Sequence, residues 1–129
     1  MSQDNVVALC PKDRVRLNAE PIATICRNLG ATTAKHVVAR ALGEISQTVA
    51  GLATQVKAHD LAEMPRPLRR LQLMADNLGL ITLGLVAADL ALCISLQDVT
   101  AFSAVWARLV RVADDALADQ HSLLGATLG

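Results

Sequence analysis

Apolar positions in the middle of the chain recur at helical spacing. Val38, Ile45 and Leu52 fall on one seven-residue series, and Leu42, Val49 and Val56 fall on another. On an α-helix the two series merge into one stripe, because residues three, four and seven apart share a face. His36, Arg40, Gln47 and Thr54 fall away from it. The spacing predicts a helix that Thr32 or Thr33 caps and that runs to about Ala58. The stripe spans too few heptads for an independent coiled coil, so it reads as the core of a bundle.

The same reading places four more helices. One precedes the central stripe, from Ala19 to Leu29, with Pro21 tolerated in its first turn and Gly30 as its stop. His59 to Pro67 reads as a turn closed by Pro65 and Pro67. A third helix is then expected from near Leu68 to Gly79, with Leu68, Leu71, Ala75 and Leu78 on one side. A fourth runs from about Thr82 to Leu96 and is apolar nearly all round, the pattern of a buried bundle helix. Asp98 is a good cap for the fifth, whose buried face is Phe102, Val105, Trp106, Leu109, Val112, Ala113 and Ala116. Short connections favour antiparallel neighbours. The expected fold is all-α: an up-and-down antiparallel four-helix bundle with an additional N-terminal helix. It forms one domain, with an irregular arm over about 1–18, the bundle over 19–120 and a short tail over 121–129.

Composition narrows the class. Of 129 residues, 53% are hydrophobic and 19% charged, which excludes a disordered chain. The apolar mass is Ala, Leu, Val and Ile with one Phe, one Trp and no Tyr, favouring close helix packing over a sheet. Twelve basic and twelve acidic residues cancel, whereas nucleic-acid binders usually show a basic excess. Cys10, Cys26 and Cys93 lie far apart without CxxC spacing, and the first ten residues lack the pattern of a secretion signal. Reduced thiols in a cytoplasmic protein are the expectation. Leu78 to Leu96 has the length of a bilayer span, but Asp89 would cost about 2.5–3.5 kcal/mol near a bilayer centre, so no membrane span is expected.

The segment Leu68-Arg69-Arg70-Leu71-Gln72-Leu73-Met74-Ala75-Asp76-Asn77-Leu78-Gly79 resembles the phosphorylated helix of histidine phosphotransfer domains. Their pattern is H-x-L-K-G, then an apolar residue and Gly a few positions on. Leu71 takes the Leu position, Ala75 that of a small residue, and Leu78-Gly79 the closing pair. The small-and-apolar helix that follows, and the last helix after Asp98, match the family's layout over about residues 20–118. The family is a four-helix module that relays phosphate between receiver domains. This chain departs from it at the site: Arg69 stands at the histidine position, Gln72 at the lysine and Leu73 at the glycine. A guanidinium cannot carry phosphate as a neutral imidazole does. The resemblance therefore implies a pseudo-phosphotransfer adaptor in two-component signalling. Arg66, Arg69, Arg70, Gln72 and Leu73 would meet a receiver domain or sensor kinase without carrying phosphate.

Other candidates carry less. His36 is expected on the outer face of the second helix, and no Lys-Gly pair follows it. His59-Asp60-Leu61 with Pro65 is similar to the H-box of sensor kinases, but the proline lies one residue too far on and no ATP-binding domain follows. A histidine at a helix C-terminus, favourable to the dipole, is the plainer reading. His121 falls in the expected tail. Asp114, Asp115 and Asp119 lack a Gly-bearing loop or His partner, and Arg111 stands four residues before Asp115, so they read as a solvated face without metal. No nucleophile–base pair or Gly-rich phosphate loop is present. A non-enzymatic protein without cofactor is expected, and excess apolar surface on the fourth or fifth helix could alternatively seal a homodimer.

Overall fold

The computed structural model describes residues 16–128, with side chains through Ala118. Five α-helices lie among the described residues: α1 Glu20–Leu29, α2 Ala31–Lys57, α3 Pro65–Leu78, α4 Ile81–Ser95 and α5 Val99–Leu128. A 3₁₀ turn, Leu61–Glu63, sits between α2 and α3. α3 packs along α4 and α4 along α5, while α2 closes the ring against α3 and α5. With two- and three-residue links on either side of α4, these neighbours run antiparallel. α1 packs against α2 and touches α3. The chain is an all-α helical bundle.

The core follows the stripes. From α2 it takes Val38, Leu42, Ile45 and Leu52; from α3, Leu68, Leu71, Ala75 and Leu78; from α5, Phe102, Leu109, Val112, Ala113 and Ala116. Val49, Val56, Val105 and Trp106 are half-buried at its margin. Met64 and Leu80, on the connections, are buried with them. The Asp98 cap forms as expected, its Oδ1 accepting from the Ala101 N–H at 3.1 Å.

Three helix ends close alike. After α3, the Leu80 N–H donates to the Ala75 carbonyl (2.8 Å) and the Gly79 N–H to the Asp76 carbonyl (3.1 Å), with Gly79 at φ 76°. This pair of bonds around a left-handed residue is the Schellman motif. α2 closes through Asp60 to Gln55 (2.9 Å) and His59 to Val56 (3.1 Å), and α4 through Asp98 to Cys93 (3.0 Å) and Gln97 to Ile94 (3.1 Å). His59 and Gln97, neither a glycine, hold the left-handed position at φ 56°.

Five expectations are corrected. α2 begins at Ala31 with Gly30 as its N-cap, and neither Thr32 nor Thr33 caps it; both lie inside the helix. Pro65 and Pro67 do not end a turn but occupy the first turn of α3, where the missing N–H costs no hydrogen bond. The expected tail is helical, since α5 continues to Leu128 and Asp114 and Asp115 fall mid-helix. The arm through Pro11 lies outside the described residues, but Arg16 to Asn18 are tied down. Leu17 pairs with Leu80, and the Asn18 N–H donates to the Gly79 carbonyl at 2.7 Å. The Arg16 N–H donates to Thr82 Oγ1 at 2.6 Å, and the Thr82 N–H returns to the Arg16 carbonyl at 3.4 Å. Finally, α4 is not buried all round. Leu83, Gly84, Val86, Ala87 and Leu90 enter the core, while Ile81, Leu85 and Leu92 face outward.

Leu78–Leu96 is also not one helix, because the Gly79–Leu80 corner divides it. Among the described residues no helix is long and apolar enough to cross a membrane.

Candidate protein-interaction face

The outer face of α3 is set by what its inner face buries. With Leu68, Leu71, Ala75 and Leu78 in the core, a turn of 100° per residue puts Leu73 on the opposite side. Leu73 is 60% exposed. Its helical neighbours at three, four and seven positions are Arg66, Arg69, Arg70, Asp76 and Asn77, all exposed. The result is one apolar side chain ringed by three guanidinium groups, a carboxylate and an amide. None of the three arginines makes an ion pair among the described residues. Gln72 is half-buried, toward α4, where its carbonyl lies close to Gly84.

The three arginines divide between two sides. Arg66 and Arg70 lean toward α2 and line a solvent-open groove of about 720 Å³, facing Glu44, Gln47, Gly51 and Thr54 across it. Arg69 stands on the other side of Leu73. Gln55 also lines this groove; its Nε2 donates to the Glu63 carbonyl at 3.3 Å, while its Oε1 is buried without a hydrogen bond among the described residues. A Cβ added at Gly51 would meet nothing within 4 Å, so this glycine is not required by packing. The α2 side of the groove was illegible in sequence because its residues are the ordinary polar positions off the stripe. Only the packing of α2 on α3 sets them opposite Arg66 and Arg70.

The remaining candidates scatter. His36 is exposed on α2, and His59 is the left-handed closing residue of that helix at the other end. The side chains of Asp119 and His121 lie outside the described residues, as does Cys10. Cys26 and Cys93 are free and half-buried, on different helices. Among the described residues no three His, Cys, Asp or Glu side chains converge as metal ligands would. An ion pair joins α4 to α5, Arg108 to Asp89 at 3.9 Å, partly exposed and so of small energetic consequence.

Comparison with known proteins adds no relative: no family model, curated protein or solved structure gives a significant match to the chain.

Proposed function

We propose that the chain is a cytoplasmic, non-catalytic adaptor that docks a receiver domain through the outer face of α3, in the manner of a histidine phosphotransfer domain lacking its histidine. The observation that carries this reading is Arg69. It takes the place of the phosphorylated histidine in the resemblance, and it projects into solvent beside the exposed Leu73, with Arg66 and Arg70 on the far side. Arginine is one of the residues enriched in interface hot spots. A receiver's acidic phosphorylation pocket offers the complementary charge, and such complementarity favours orientation and association rate. Leu73, where the family has glycine, replaces a close backbone approach with an apolar contact. With no imidazole at this point, the bundle holds the receiver without taking its phosphate.

The test is a binding titration of purified receiver domains against the full chain, with Arg69→Glu and Leu73→Glu as variants and Arg40→Glu, exposed on α2, as control. Binding should weaken at least tenfold in the two α3 variants, be unchanged in the control, and fall with added salt. Incubation with a phosphorylated receiver should leave no acid-labile phosphate on the chain. Equal affinity of Arg69→Glu and the parent chain, or phosphate appearing on His36 or His59, overturns the reading.

A further inference from the structure

The groove between α2 and α3 has walls of opposite hydrogen-bonding character. On the α3 side Arg66 and Arg70, one helical turn apart, present guanidinium donors that make no ion pair among the described residues. The α2 side offers mainly acceptors. The Thr48 hydroxyl donates to the Glu44 carbonyl at 2.8 Å and the Thr54 hydroxyl to the Ala50 carbonyl at 3.3 Å, so each has only lone pairs left to offer. Gln55 spends its Nε2 on the Glu63 carbonyl at 3.3 Å, and its Oε1 is buried without a partner among the described residues. Glu44 adds a carboxylate to the same wall. Among these groups stands Gly51, where a Cβ would meet nothing within 4 Å, so the missing side chain leaves room that packing within the chain does not use.

We propose that this groove binds an acidic segment of a partner protein in extended conformation. A ligand that satisfies both walls must bring carboxylates to one side and N–H donors to the other, and an extended peptide with acidic side chains brings both. An inorganic anion or a small dicarboxylate meets only the arginines. The spacings agree with a peptide. Arg66 and Arg70 are about 6 Å apart along the helix axis, and side chains on alternate residues of an extended chain are about 6.6 Å apart. From Glu44 to Thr54 the α2 wall runs about 15 Å, the length of roughly four to five extended residues. Two guanidinium groups outweigh the one carboxylate of Glu44, so the groove as a whole favours negative charge. The inference does not rest on the receiver reading, because Arg69, which carries that reading, stands on the other side of Leu73 and does not line the groove.

The probe is the peptide acetyl-Glu-Ala-Glu-Ala-Glu-amide, titrated into the full chain at low salt and followed by backbone amide NMR shifts. It should shift the amides of Thr48, Gly51 and Arg70, and its binding should weaken with added salt. The same peptide with glutamine for glutamate should bind about fivefold more weakly or worse. So should succinate, which carries two carboxylates and no N–H donor. Arg66→Gln and Arg70→Gln should each weaken the peptide by about fivefold or more, the size of effect that exposed charge pairs reach. Lys35→Gln, the same change of charge at the far end of α2, should leave it unchanged. Gly51→Ala, which puts a methyl group into the groove, should weaken binding, while circular dichroism shows every variant as helical as the parent. An absence of binding at millimolar peptide, or equal binding of the glutamine peptide, overturns the proposal. Succinate binding as tightly as the peptide overturns it in favour of a small-anion site. A loss in Arg69→Gln equal to that in Arg70→Gln overturns it by putting the peptide on the outer face of α3.

Discussion

His59 and Gln97 occupy backbone positions that an L-residue adopts at a cost of about 1–2 kcal/mol, whereas Gly79 meets the same requirement freely. Replacing either with glycine should therefore stabilise the bundle, by about 0.5–1 kcal/mol once the added flexibility of the unfolded chain is deducted. Denaturant unfolding of His59→Gly and Gln97→Gly measures this, and a loss of stability in both would refute the strain. The reverse change at Gly79 has a second cost. A Cβ there would clash with the Asn18 carbonyl, which is backbone and is held by the bond between Asn18 and Gly79. Gly79→Ala should lose at least about 2 kcal/mol, the left-handed cost plus displacement of the Arg16–Asn18 segment. The stop at Gly79 was legible because glycine announces a left-handed end. His59 and Gln97 were not, because residues of both kinds stand far more often at negative φ.

At the scale of the helix, α2 carries two glycines, Gly43 and Gly51, on its exposed side, and a Cβ at either meets nothing within 4 Å. Mid-helix glycine costs about 0.8–1.0 kcal/mol relative to alanine, so Gly43→Ala and Gly51→Ala should each raise stability by roughly that amount. Gly51 lines the groove beside Arg66 and Arg70 and Gly43 does not. If the groove contributes to partner binding, only Gly51→Ala should weaken it, and a thermal melt with a binding titration separates the two effects. α4 gives a second contrast. Leu83 is fully buried and Leu85 half-exposed. Leu83→Ala should cost about 2–5 kcal/mol of monomer stability and Leu85→Ala under about 1. Comparable losses in dilute, monomeric protein would contradict the two-faced description of this helix. Periodicity could not assign its faces: where nearly every position is apolar, no stripe stands out, and a helix buried all round reads the same as one buried on two sides.

For the whole molecule, the α3 and α4 faces make separable demands. The α3 face is basic around a single leucine, and the outer side of α4 is a row of apolar side chains. If the α3 face docks the partner, Leu73→Glu should weaken receiver binding at least tenfold and Leu92→Glu should leave it unchanged. Loss of receiver binding in both variants would mean that the two helices form one surface. The chain by itself determined its class, its five helices, and the inward faces of α2, α3 and α5. These follow from side-chain spacing along a single helix, which is a local property. The Asp98 cap and the Gly79 stop are local for the same reason. Tertiary structure decided the rest. Pro65 and Pro67 could break a helix or begin one, and the start of α3 in the first turn after the 3₁₀ segment resolved which. The Arg16–Asn18 segment was anchored by hydrogen bonds to residues more than sixty positions away. Which of two apolar sides of α4 faces the core, and which α2 residues stand across from Arg66 and Arg70, depend on how helices sit against one another, and no one segment carries that information.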